Sequence, residues 1–154
     1  MLGLADPAAP IPEGILDALR AAAESGTRIA SICVGAFTLA ATGPLDGLRA
    51  ATHWATATEL SRRYPAVDVD ADVLFVDNGQ VLTSAGAAAR LDLCLHMIRR
   101  DHGSAVAADA ARVAVMPPVC DGGQAQYIVH EQPGADGSSL DPLLRWMEEG
   151  NGSR

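Results

Sequence analysis

Two residues pair a reactive side chain with a local sequence that would present it: Cys33 and, twenty residues on, His53. Cys33 lies in residues 28–41, RIASICVGAFTLAA. Ile29, Ala30 and Ile32 form a short apolar run, β-branched at two of the three positions, as in a buried parallel strand. Gly35 lets the chain turn tightly, and Phe37, Leu39, Ala40 and Ala41 then suit a buried helix. A thiol at such a junction sits near the first free N–H groups of a helix. Their partial positive charge favours the thiolate and can hold a developing oxyanion. This is the outline of a nucleophile elbow with cysteine in place of serine. A thiolate there adds to an aldehyde, nitrile-like or acyl carbon while a histidine moves protons. The same residues also fit a small core cysteine and a histidine hydrogen-bonded under Trp54, and spacing does not separate the two readings.

The elements that must position this pair follow from the pattern on either side. Pro12 and Glu13 open a helix in which Ile15, Leu16, Leu19, Ala22 and Ala23 recur at helical spacing, and Gly26 ends it. After the Cys33 strand and its helix come Gly43-Pro44 and a turn at Asp46-Gly47. A short strand over 49–52 places His53 at its carboxyl end, where open α/β sheets gather their sites. A helix is expected over 56–64, stopped by Pro65. Val67, Val69 and 73–76 supply strand residues, and Asp77-Asn78-Gly79 is a hairpin signal returning through 81–83. Ser84-Ala85-Gly86 leads into a long helix in which Leu91, Leu95 and Ile98 share a face. Cys94 beside them reads as a core residue, and His96, one turn from Asp92, as a hydrogen-bonded helix histidine rather than a ligand. His102-Gly103 closes that helix, and an alanine-rich one runs to about Val113, before Pro117-Pro118. PPVCDGGQAQYI reads as a loop with an oxidisable Cys120, and its Gly122-Gly123 lacks the spacing of a phosphate loop. Residues 132–139 read as a flexible linker and 140–149 as a short amphipathic helix.

Composition narrows the function. The 154 residues suit one domain, and alanine-rich packing with few aromatics implies close helix–sheet contact. A formal charge of −8 and no Lys/Arg cluster disfavour a nucleic-acid surface. Three widely spaced cysteines make neither a disulfide framework nor a metal knuckle, so no metal or cofactor is expected and a reducing cytoplasm fits best. The N-terminus lacks the pattern of a signal peptide, and no run approaches a membrane span.

SICVGAF, ATHW and VLTSAGAAARLDLCL, in this order, resemble the ThiJ/PfpI family of the class I glutamine amidotransferase-like superfamily. RRDHGSAVA, PPVCDGGQAQYI and SLDPLLRWMEE are similar to one subgroup, the GlxA-type AraC-family transcription regulators with an N-terminal domain of this kind. The resemblance implies an α/β fold, part of a flavodoxin-like three-layer sandwich with a mostly parallel sheet and flanking helices. Relative to the family pattern the first strands are missing, together with the acidic residue that usually contacts the elbow thiol. The expected organisation is a ThiJ/PfpI-like portion over 1–131 and, over 132–154, a linker and short helix that would lead to a helix-turn-helix domain absent from this chain.

By family pattern Cys33 is the elbow cysteine with His53 beside it, the candidate catalytic pair, and Val34, Gly35, Trp54 and Ser84 are expected to contact a ligand. Protease- and deglycase-like members resemble one another in having histidine after the cysteine, and isocyanide hydratases have threonine. Val34 offers neither a proton nor a hydroxyl. The leading expectation is therefore a ligand-sensing and dimerisation domain of an AraC-type regulator, binding a small molecule near Cys33 without turnover. It would be a cytoplasmic homodimer that touches neither DNA nor membrane itself. The alternative is a cysteine-dependent enzyme of the isocyanide-hydratase or glyoxalase kind. A third reading is an inactive fragment, whose Cys33 strand would keep an unpaired edge and an uncovered apolar face.

Overall fold

The computed structural model describes residues 10–118 and 123–124. The linker, the terminal helix and Cys120 proposed from sequence lie outside the described residues. The elements run α1 (Glu13–Glu24), β1 (Ile29–Ile32), α2 (Gly35–Thr42), β2 (Arg49–Ala50), α3 (Trp54–Arg63), β3 (Asp68–Val69), β4 (Phe75–Asp77), β5 (Val81–Ser84), α4 (Ala89–His102) and α5 (Ser104–Val113). The main sheet is mixed, in the order β1-β5-β4. β1 pairs with β5 in parallel, Ile29 beside Val81 through Ile32 beside Ser84, and β4 returns antiparallel through the Asp77-Asn78-Gly79 turn. β2 and β3 form a separate parallel pair, with Arg49 beside Asp68.

β5 lies at the centre of the main sheet, and all four of its residues are buried. This follows from a strand with neighbours on both edges and helices packed on its faces. The core gathers Ala36, Phe37, Leu39 and Ala40 of α2 with Leu45, Ala50, Leu60, Val67 and Val81. Phe37 meets Tyr64 edge to face, centroids 6.4 Å apart. The small residues of α2 let it sit close against β1: a Cβ on Gly35 would lie 3.3 Å from the Ser31 Cβ.

β1 is an edge strand among the described residues. Ile29 and Cys33 turn their N–H groups toward β5, donating to Gln80 and Ser84 at 2.8 Å, so those of Ala30 and Ile32 face the open side. Ile32 is 44% exposed and Ile15 on α1 is 50% exposed. The helix α1 is amphipathic yet buries none of its residues fully.

The helix α4 differs from its sequence reading. Its buried residues are Ala89, Leu93 and Leu95, whereas Leu91 is 42% exposed and Cys94 is exposed rather than in the core. At 3.6 residues per turn Leu91 and Leu95 share one side and Ala89 and Leu93 the nearly opposite one, so α4 is covered on two sides, and of the 91/95 pair only Leu95 is buried. His96 is held by Asp77 of β4, at 2.6 Å, and not by Asp92. Arg100 also reaches Asp77, at 3.0 Å, and the Gly79 carbonyl at 3.2 Å. Burial pushes the Asp77 carboxyl up, but the bonds from His96, the Gly79 N–H and Arg100 outweigh it and hold its pKa below the usual value. This cluster ties the hairpin turn to α4.

Candidate functional site

The chain leaves β1 through a strained residue. Cys33 has φ +57°, in the left-handed region that a side chain disfavours, and α2 begins two residues later. Its N–H continues the β1–β5 ladder by donating to the Ser84 carbonyl at 2.8 Å, and its own carbonyl accepts from Thr52 Oγ1 at 3.0 Å. Cys33 thus forms a sharp turn between strand and helix, with the residue half-buried. Val34 caps α2 and packs against the core. Ser84 is fully buried, its hydroxyl donating to the Ser31 carbonyl at 3.4 Å.

His53 reaches the same end of the sheet by another route. β2 makes no main-chain pairing with β1; the Ala51 N–H instead donates to Thr83 Oγ1 at 2.8 Å, which anchors β2 beside β5. Thr52 then bonds the Cys33 carbonyl, so the Cys33 turn and the His53 segment are joined. α3 starts at Trp54, two residues earlier than expected from sequence, and His53 caps it: its Nδ1 accepts the Ala55 N–H at 3.2 Å. That bond orients the ring, which lies tilted against Trp54 at 5.4 Å between centroids.

His53 and Trp54 face a cavity of about 380 Å³, closed by Leu74, residues 85–89, Asp92 and Gln124. Cys33, Val34, Gly35 and Ser84 lie outside its lining. Alanines at 85, 87, 88 and 89 and Gly86 leave the volume open; a Cβ on Gly86 would lie 3.8 Å from His53 Cδ2. Asp92, in the first turn of α4, is the lining carboxylate. Its side chain pairs with no Lys, Arg or His among the described residues, and burial raises its pKa above the usual carboxylate value. The cavity is therefore apolar with one negative pole. Among the described residues no group of three or more His, Cys, Asp or Glu gathers to hold a metal.

Gln124 is the site residue that sequence reasoning missed. It is 3% exposed, its Oε1 accepts the Trp54 N–H at 2.9 Å, and its Nε2 donates to the Thr52 and Val73 carbonyls, each at 3.0 Å. The preceding Gly123 forms an antiparallel bridge to Val73. A Cβ at Gly123 would lie 2.1 Å from the Asp72 carbonyl oxygen, so only glycine fits there.

The sequence profile of the DJ-1/PfpI family matches residues 5–100. The chain belongs to this family. The transcriptional regulator ArgR of Pseudomonas aeruginosa, an HTH-type protein, is 36% identical over 111 residues, 72% of this chain and 33% of the regulator. The chain thus spans about a third of that relative's length. Isonitrile hydratase of Pseudomonas putida is 36% identical over a shorter stretch of 83 residues, 54% of this chain and 35% of that enzyme. The crystal structure of DJ-1beta from Drosophila melanogaster superposes with a TM-score of 0.61 at 21% identity, covering 69% of this chain and 55% of that one. The small mixed sheet with its flanking helices is thus the flavodoxin-like fold of the DJ-1/PfpI family. Among the described residues no helix is long and apolar enough to cross a membrane.

Proposed function

We propose that this chain is the ligand-sensing part of an AraC-type transcription regulator and acts in the cytoplasm. It binds a small molecule without transforming it. The observation that carries the reading is the cavity behind His53 and Trp54: its volume suits a small organic ligand, and the Cys33 thiol is not in its wall. The similarity to ArgR supports the regulator context. With Asp92 as its charged group, the cavity favours neutral or cationic ligands and rejects anions, because an anion would be desolvated next to a carboxylate. The indole of Trp54 adds an aromatic face to the cavity. DNA contact belongs to other parts of such a regulator, and pairing of two copies is part of the proposal.

The enzyme reading rests on the elbow conformation of Cys33 and the match to isonitrile hydratase. Val34 weakens it, since a valine side chain next to the thiol offers a reacting substrate neither a proton nor a hydroxyl. The proposal is tested by thermal denaturation with two probes of similar shape, benzylamine and benzoate, on the wild-type chain and on Asp92→Asn. The amine is expected to raise the midpoint of the wild type and to lose most of that effect in Asp92→Asn. Equal stabilisation by benzoate would refute the assignment of the cavity's polarity.

A further inference from the structure

The Gln124 side chain has little left to offer a ligand. Both Nε2 hydrogens are used, on Thr52 and Val73, and Oε1 holds the Trp54 N–H. These three partners lie in the link between β2 and α3, at the first residue of α3 and in the run into β4. Trp54 is the first residue of α3, so its N–H has no acceptor within the helix. The main-chain N–H of Gln124 adds a fourth bond, to the Asp72 carbonyl at 2.7 Å. Gln124 comes from 70 residues beyond Trp54 and nevertheless forms the hub of that wall.

We propose that Gln124 is the positioning residue of this site: its amide fixes the His53–Trp54 wall of the cavity, and seating of Gly123–Gln124 and the shape of the cavity are one equilibrium. The inference rests on the reading of the cavity as the ligand site only for its consequence. That consequence is reciprocal. A ligand that requires the Trp54 wall in place also strengthens the anchor from which the chain continues to residues 125–154, and a pull on that segment weakens the ligand.

The test needs no ligand. Gln124→Met keeps the volume and the apolar packing but removes all three amide bonds, and Gln124→Glu keeps the acceptor for Trp54 while setting a carboxylate against two carbonyls. Trp146→Phe in each background leaves Trp54 as the single tryptophan. In Gln124→Met, amide exchange at Trp54 is expected to quicken about tenfold, the change that loss of one net hydrogen bond implies. Acrylamide quenching of Trp54 is expected to rise in parallel, while the β5 amides keep their wild-type exchange. Gln124→Glu is expected to disturb the same reporters. A folded Gln124→Met with wild-type exchange and quenching at Trp54 would overturn the inference and reduce Gln124 to packing. Failure of benzylamine to bind the wild-type chain, with those reporters altered in Gln124→Met, would overturn the ligand reading and leave the positioning role standing.

Discussion

The conformation of Cys33 makes a prediction whose sign is unusual. Cys33→Ala and Cys33→Gly both remove the thiol, so their difference isolates what a Cβ costs at φ +57°. An L-residue in the left-handed region pays about 1–2 kcal/mol. Glycine avoids that cost but broadens the unfolded ensemble, which works against it by about 0.4–1 kcal/mol. The balance favours Cys33→Gly over Cys33→Ala by about 0.5–1 kcal/mol. In an ordinary strand or helix the order is reversed, with glycine the worse residue by about 0.5–1 kcal/mol. Urea unfolding followed by far-ultraviolet dichroism reads the difference directly. With a slope of about 1–3 kcal/mol per molar, the glycine variant should unfold at a midpoint higher by a few tenths molar. A glycine variant less stable than the alanine one would place Cys33 in a relaxed conformation and refute the strained turn.

Four further predictions concern the surroundings of the site. Asp77, with its lowered pKa, contributes stability above the unfolded value of about 3.9 and loses it as pH falls through the folded value; the acid-induced drop should shrink in Asp77→Asn, and an unchanged acid profile would count against the His96–Asp77–Arg100 cluster. Asp92 has the opposite sign: its raised pKa costs the fold nothing below about 3.9 and destabilises it as pH rises from there through the folded value, so Asp92→Asn should gain on the wild type as pH rises above about 3.9, as urea midpoints would report. Gly123→Ala should cost about 1–3 kcal/mol and reproduce the Trp54 signature of Gln124→Met, because its Cβ collides with the Asp72 carbonyl; wild-type stability would mean the bridge to Val73 is not seated. Ile32→Lys on the open edge of β1 should reduce concentration-dependent association in analytical ultracentrifugation, and no change would show the edge to be inert.

How much of this was legible in the sequence depends on how local the cause was. The strand and the helix on either side of Cys33 were legible, since a β-branched run and Gly35 dictate them within a few residues. The hairpin was legible for the same reason, from Asp77-Asn78-Gly79. The burial of α4 was not, because Leu91 and Leu95 share a side yet only Leu95 is buried, while Leu93 on the other side is buried too; the elements packed around the helix decide this, and they leave Cys94 exposed. The partner of His96 was missed because Asp77 is nineteen residues away on β4, whereas Asp92 is one turn away. Gln124 was the least legible. A lone glutamine after a glycine pair carries no local signal, and its value comes from Thr52, Trp54 and Val73, brought to it by the fold.

The central claim, binding without turnover, is tested most directly by watching both in one sample. The Trp146→Phe chain would be incubated with a panel of small amines, alcohols and carboxylates, with binding followed by Trp54 emission and each compound's integrity by proton NMR. The account predicts saturable binding of neutral or cationic members that emerge unchanged, with the same affinity in Cys33→Ala. Steady consumption of a bound compound, abolished in Cys33→Ala but kept in Cys94→Ala, would contradict it and make the elbow the working part of an enzyme.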